Sequence, residues 1–192
     1  MKISVALIVY NGTKYICQQL DSILAQTYKV DEIIVCDDAS YDNTKEILEE
    51  YKSNHPNIFF IHYNNQNIGP TKNIEKAIQA CTGELILLAD QDDYWEAKKV
   101  VSIINWFEQN LNMNGVFTNG SLMNSKGELD NKYCLWDAMS FPYKTIRSKI
   151  ELNKSLNLYI NTVENCVTGA TLAIRNNLAF FTHSFPFDAL LT

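Results

Sequence analysis

Glycine-rich phosphate loops are absent from this chain: no GxGxxG follows the first apolar run, and neither GxxxxGKS nor GxxxxGKT occurs anywhere. A phosphate ligand would have to be held by side chains and a metal ion instead. Basic blocks are missing too. Lysine and arginine number 16 against 22 aspartates and glutamates, a net charge of −6, so nucleic acid is excluded as the natural partner. No apolar run approaches the roughly 20 residues that span a bilayer, and Met1-Lys2 leads straight into a strand-like segment without a signal peptide. The five cysteines, Cys17, Cys36, Cys81, Cys134 and Cys166, are odd in number and form no CxxC. That usage fits reduced thiols in a cytoplasmic protein rather than disulfides or a zinc site. His55, His62 and His183 lack ligand spacing, so surface or packing roles are expected of them.

What is present is the mix of an ordinary globular protein. At 192 residues, 46% hydrophobic and 20% charged, the chain can bury one core and is too short for two full domains. Ile3 to Tyr10 is an apolar, β-branched run ending at Asn11-Gly12, a strand and turn. Ile16, Leu20, Ile23 and Leu24 then share one helical face. Asp31 to Cys36 is a second strand, ending in Asp37 and Asp38. The next helix turns Ile47, Leu48 and Tyr51 inward, with Asp42 or Asn43 as cap and Glu46 completing a capping box. Asn57 to Tyr63 is a third strand; Ile74, Ala77, Ile78 and Cys81 mark a third helix, closed by Gly83. After a fourth strand, Val100, Ile104, Phe107 and Leu111 line a fourth helix. This alternation implies an α/β protein, a mostly parallel central sheet flanked by helices. Right-handed crossovers put all four strand ends on one rim. Beyond Leu111 the rhythm loosens. Gly115 to Asn124 reads as a strand, Ser125-Lys126-Gly127 as a turn, residues 130–165 as loops and short helices, and Val167 to Ile174 as a late strand.

The stretch richest in chemistry is Glu84 to Trp95, ELILLADQDDYW. Its apolar run, Leu85 to Ala89, has the length and content of a buried parallel strand. Asp90, Gln91, Asp92 and Asp93 follow at once, at the carboxyl edge where open α/β sheets bind ligands. In an extended backbone Asp90 and Asp92 point to one side with Cα atoms roughly 6.6 Å apart. Both can then meet one hard cation while Asp93 faces away. The other strand ends supply Tyr10 and Asn11, and Asp37 and Asp38. Like charges 4 Å apart repel by about 4 kcal/mol at an effective dielectric of 20, and a divalent ion, Mn2+ or Mg2+, removes that penalty. Such an ion shares its other positions with water and substrate phosphates. A metal–diphosphate ligand is therefore expected, with Asp38 accepting hydrogen bonds from a base or sugar and Lys72, on the third rim loop, helping with the phosphates. The plainer alternatives make Asp90 and Asp92 solvated carboxylates that cap the next helix, Asp93 a cap, Lys72 a solvated helix-start lysine and Tyr10 strand-end packing.

Five stretches, VALIVYNGTKYICQQLDSILAQTY, EIIVCDDASYDNT, NNQNIGPTKNIEKAI, GELILLADQDDYW and VTGATLAIR, together resemble family 2 glycosyltransferases of the GT-A fold, in that family's order. They cover most of residues 1–100 and one element near residue 170. The resemblance implies a single GT-A domain over residues 1–192, with a nucleotide-sugar-binding half at 1–112 and an acceptor-side half at 113–192, cut short at its end. It sets Tyr10, Asn11 and Asp38 around the base and ribose, and Lys72 near the base and phosphates. Asp90-Gln91-Asp92 matches the DxD motif, with Asp92 the direct metal ligand and Asp90 its companion. Gly169 and Ala170 match a turn near the donor sugar and acceptor. Family members invert the anomeric centre in one displacement, a carboxylate base taking the acceptor proton. That base follows a Pro-Phe stretch, here Phe185-Pro186-Phe187-Asp188, so it is expected beyond Thr192, with Asp188 the weaker candidate.

DQDDYW resembles members that assemble bacterial polysaccharides, including rhamnosyltransferases. The resemblance thus implies cell-envelope glycan synthesis, a UDP- or dTDP-sugar donor and a saccharide or lipid-linked acceptor. It also implies a cytoplasmic site of action that extends to peripheral contact with the inner face of the membrane. Two further readings stay open. A sugar nucleotidyltransferase would want a Gly- and Arg-rich loop where Tyr10-Asn11-Gly12-Thr13 stands. A nucleotide-sugar-binding fragment without turnover would need no base.

Overall fold

The computed structural model describes residues 1–139 and 169–176. They form two compact units, residues 1–116 with 172–176, and residues 117–139 with 169–171. In chain order the described elements are β1 (Ile3–Val9), α1 (Ile16–Leu24), β2 (Glu32–Asp37), α2 (Thr44–Asn54), β3 (Phe59–Tyr63), α3 (Pro70–Ala80), β4 (Leu85–Asp90), α4 (Lys99–Gln109), β5 (Gly115–Phe117), β6 (Ser121–Met123), β7 (Leu129–Cys134), α5 (Leu135–Ala138), a 3-10 turn (Gly169–Thr171) and β8 (Leu172–Arg175).

The larger unit is an α/β sheet in the order β3-β2-β1-β4-β8-β5. Strands β1 to β4 are mutually parallel where they pair, and β8 runs antiparallel to β4. Central parallel strands are covered on both faces, and the residues of β1, β2 and β4 are accordingly buried almost without interruption. Side chains alternate between faces. Val5, Leu7, Ile33, Val35, Leu85 and Leu87 join Ile16, Leu20 and Ile23 of α1, Leu48 of α2 and Ile103, Ile104 and Phe107 of α4 in one core. Helix α3 packs across β1 and β2 through Ile74, Ala77 and Ile78. The smaller unit contains the antiparallel pair β6–β7, joined through the Ser125-Lys126-Gly127 turn with Gly127 at φ 79°.

Several boundaries differ from the sequence reading. Leu111 lies past the end of α4 and is 75% exposed. Gly115 to Asn124 divides into two strands that join different sheets, and residues 129–134, without clear period in sequence, form β7. Helix α2 has no side-chain cap at Asn43; Asp42 instead accepts from Thr44 N at 3.1 Å. Gly83 does not close α3 in a left-handed turn. It is small because a Cβ there would sit 2.7 Å from Ser4 N. Among the described residues no helix is long and apolar enough to cross a membrane. Cys17, Cys36, Cys81 and Cys134 are free thiols, while Cys166 and His183 lie outside the described residues.

The amino-terminal edge of the sheet is pinned by one buried carboxylate. Glu32 accepts from Ser4 Oγ at 2.5 Å, from Thr82 N at 2.5 Å and Thr82 Oγ1 at 2.7 Å, and pairs with Lys2 Nζ at 3.2 Å. Burial alone would raise its pKa, but hydrogen bonds from Ser4, Thr82 and Lys2 outweigh it and hold the value at about 2 against 4.5. Because the folded value is the lower, Glu32 stabilises the fold fully above pH 4.5 and loses that contribution as pH falls towards 2. Glu32→Gln is expected to cost at most ~3 kcal/mol in urea denaturation at pH 7. The gap to wild type should narrow from pH 5 to pH 3, and a gap independent of pH would contradict the assignment.

Candidate functional site

Parallel strands that end together leave backbone amides without ladder partners. In this sheet Val9 and Tyr63 lie opposite Asp37 and Ile8 opposite Asp90, so four strands stop at one rim. Two strand spacings separate β2 from β4, which sets Asp37 and Asp90 about 10 Å apart. The gap is bridged by side chains. Gln91 Oε1 accepts from Tyr10 N at 2.8 Å and its Nε2 donates to Tyr10 O at 3.1 Å. Asn11 N donates to Ser40 Oγ, Gly12 N to Thr44 Oγ1, both at 2.8 Å, and Thr13 N to Asp42 Oδ2 at 3.2 Å. Gly12 has to be glycine for this clamp, since a Cβ would stand 2.7 Å from Gln91 Oε1.

At the β2 end Asp37 and Asp38 divide their work. Asp37 accepts from Ser40 N at 3.1 Å and from the Ser40 hydroxyl, capping its own turn. Asp38, only 3% exposed, accepts from Ile68 N and Asn64 Nδ2 on Oδ1, both 2.8 Å, and from Gly69 N on Oδ2 at 2.9 Å. Its carboxylate thus shapes the loop that enters α3, where Gly69 takes φ 85° before Pro70. Asn64 donates a second bond to Asn73 Oδ1 at 2.9 Å and accepts from Lys76 Nζ at 2.6 Å. Asn73 Nδ2 reaches Cys36 O at 2.8 Å. Asn64, Asn73 and Lys76 escape sequence reasoning; their only signal is the polar run Asn64 to Asn67 before Gly69-Pro70. Lys72 is exposed and makes no hydrogen bond or ion pair among the described residues.

At the β4 end the strand stops at Asp90, and Gln91 and Asp92 turn. The extended spacing expected of Asp90 and Asp92 therefore does not hold past Asp90. Asp92 is exposed, Asp90 and Asp93 half-buried. None of them caps the next helix, because α4 begins only at Lys99. The loop is anchored from behind instead. Trp95 is fully buried; its backbone N–H donates to Ser22 Oγ at 3.0 Å, and Gln26 bridges Glu96 O at 2.9 Å and Val100 N at 3.0 Å. Gln19, in the amide orientation that satisfies both neighbours, donates to Asp93 O at 2.7 Å and accepts from Trp95 Nε1 at 3.2 Å.

Negative charge is crowded here. Asp93 Oδ2 is buried without a hydrogen-bond partner among the described residues. Burial, then the carboxylate of Asp90, with a further push from Asp92 against the pull of Lys99, raise its pKa to about 6. Burial lowers the Lys99 ammonium to about 8 although Asp93 and Asp90 oppose that; its Nζ lies 4.3 Å from the Trp95 ring centroid. Such a cluster suits a cation. Among the described residues no three His, Cys, Asp or Glu side chains gather as a metal centre. A divalent ion at Asp90 and Asp92 would draw its other ligands from water or from a phosphate.

In the smaller unit Gly169 and Ala170 form the 3-10 turn, where Thr118 N donates to Thr171 O at 3.0 Å. Asp188 lies outside the described residues.

Comparison with known proteins gives this rim a context. The family model described as "Glycosyl transferase family 2" matches residues 4–171. Chondroitin synthase of Escherichia coli is 33% identical over 138 residues, 72% of this chain and 20% of that protein. The UDP-Glc:alpha-D-GlcNAc-diphosphoundecaprenol beta-1,3-glucosyltransferase WfaP of E. coli is 35% identical over 106 residues, 55% of this chain and 41% of that one. S. aureus TarS in complex with UDP superposes at a TM-score of 0.52 with 30% identity, over 57% of this chain and 32% of its own. With UDP-GlcNAc bound the same protein shares the fold over 93% of this chain and 46% of its own, at a TM-score of 0.65 and 24% identity. The chain therefore spans less than half the length of each of these relatives.

The buried Asp93 oxygen gives a direct test of the charge crowding. Its folded pKa lies above the ordinary 3.8, so ionised Asp93 destabilises the metal-free fold above pH 6, and the effect vanishes below about pH 4. Asp93→Asn in EDTA should raise stability at pH 7 by on the order of 1–3 kcal/mol, with the gain fading on acidification. A variant less stable than wild type at pH 7 would contradict the crowding.

Proposed function

The chain belongs to glycosyl transferase family 2, and on that premise we propose that it transfers a sugar from a nucleoside-diphosphate donor to a saccharide or lipid-linked acceptor in assembly of a bacterial cell-envelope polysaccharide. The observation that carries the proposal is the rim itself. A buried acceptor, Asp38, stands at the end of β2, an exposed aromatic, Tyr10, at the end of β1 in the middle, and an acidic cluster at the end of β4, two strand spacings or about 10 Å from β2. That spacing suits a ligand with a planar ring at one end and a diphosphate at the other.

Each residue then has a part. Tyr10 offers a ring face to the base. Asn11 keeps its Nδ2 free of partners among the described residues, and Asp38 Oδ2 carries only one hydrogen bond. Gln91 serves by holding the Tyr10 backbone. Lys72, exposed and unengaged, is available to the phosphates. Asp92, with Asp90, would hold a divalent ion, Mn2+ or Mg2+. Such an ion would neutralise charge that builds on the leaving diphosphate. Lys99 offsets part of the cluster's negative charge from behind. Gly169 and Ala170 are assigned to the acceptor side, and inversion at the anomeric carbon is the course that the family resemblance implies. The E. coli WfaP name, with its UDP-glucose donor and undecaprenol-linked acceptor, and the UDP complex of TarS support a UDP-sugar donor and a lipid-linked acceptor, the latter reached from the inner face of the membrane.

Isothermal titration with UDP in Mn2+ and in EDTA tests the metal role. Asp92→Ala should lose the manganese-dependent part of the affinity, a drop of tenfold or more, corresponding to at least about 1.4 kcal/mol. It should keep its melting temperature, because Asp92 is exposed. Equal affinities of variant and wild type in Mn2+ would remove Asp92 as a ligand.

A further inference from the structure

Asn11 and Ala39 are the two described non-glycine residues with positive φ, 51° and 62°. They follow the ends of neighbouring strands β1 and β2. Asparagine offsets a left-handed conformation through its short polar side chain, and Asn11 Oδ1 accepts from Tyr41 N at 3.1 Å. Alanine has no such recourse, so Ala39 carries roughly 1–2 kcal/mol of strain imposed by its surroundings. Backbone outliers of this kind cluster at ligand clamps.

Ala39 reverses the chain directly after Asp38. The carboxylate of Asp38 stays buried on the α3 loop, and Tyr41 emerges to solvent beside Tyr10. Asn11 N on Ser40 Oγ and Tyr41 N on Asn11 Oδ1 lock residues 10–11 to residues 40–41. The rings themselves remain open: Tyr10 is 43% exposed and Tyr41 83%. Their centroids are 6.2 Å apart at an interplanar angle of 80°. A ring as exposed as that of Tyr41 adds little to the core, although the backbone beneath it is strained and cross-bonded. Two near-perpendicular rings make a corner. A flat heteroaromatic stacked on one of them meets the other edge to face, and both arrangements are favourable.

We propose that Tyr41 is the second aromatic wall of the donor site, closing with Tyr10 a corner that grips the nucleobase. The inference rests on the donor-site reading above and adds a base-binding residue to it. Stacking tolerates any base, since each has a π-face, so Tyr41 supplies affinity while the Asp38 end selects.

The test titrates wild type, Tyr41→Ala and Tyr41→Phe, in Mn2+, with UDP, dTDP and GDP to find the tightest binder, and with inorganic pyrophosphate, which has no base. Tyr41→Ala should weaken the nucleotide about tenfold, within the range measured for base–aromatic stacking. Tyr41→Phe should restore affinity to within about twofold, and pyrophosphate should bind all three alike. Unchanged nucleotide affinity in Tyr41→Ala overturns the proposal and leaves the donor site standing. Equal losses for nucleotide and pyrophosphate overturn it as well, because Tyr41 would then act on the loop and not on the base. A wild type that binds none of the three nucleotides overturns the donor-site reading itself.

Discussion

The unpaired backbone at the carboxyl ends of β1, β2 and β4 is the constraint from which the rim follows. Buried amides must find partners, and here they find them in side chains of the neighbouring loops. Gln91 closes on Tyr10, Ser40 and Thr44 take the amides of Asn11 and Gly12, and Asp38 takes those of Ile68 and Gly69. Each bond spans two loops, so the loops are fixed relative to one another. A surface that connecting segments would ordinarily leave mobile becomes a rigid edge. Left-handed Asn11 and Ala39 are the local cost of that arrangement.

The same edge concentrates unfavourable electrostatics at its β4 end. Burial, and then repulsion from Asp90 and Asp92, push the pKa of Asp93 up. The fold tolerates this because the segment behind the carboxylates is held by Trp95, Gln26 and Ser22, none of which depends on the charge. Stability sits in that apolar and amide anchor, and the charge is left for a ligand. Glu32, at the opposite edge of the sheet, is the contrasting case: a buried carboxylate fully paired, and settled well below its ordinary pKa.

How much of this was legible in the sequence depended on the range of each interaction. Periodicity exposed the alternation of strands and helices, because burial repeats every two or every three to four residues along one element. It placed Asp38 and Asp90 at strand ends for the same reason. Backbone geometry beyond Asp90 was not legible, since a turn there breaks the spacing that an extended chain would give. Nor was Gly83, whose smallness answers to Ser4 across the sheet. Gln91, Asn64, Lys76 and Gln26 bond to partners far along the chain or in other loops, and such bonds leave no local pattern. The sequence leaves Asp38 open to a ligand, whereas in the folded chain most of its capacity goes to the loop before α3.

Anomalous diffraction from crystals grown with Mn2+ and the tightest-binding nucleoside diphosphate would test the central claim most directly. The account predicts a manganese peak at Asp92 and Asp90, the diphosphate beside it, and the base at Tyr10 near Asp38. Manganese bound elsewhere, or a nucleotide lying away from the ends of β1, β2 and β4, would contradict it.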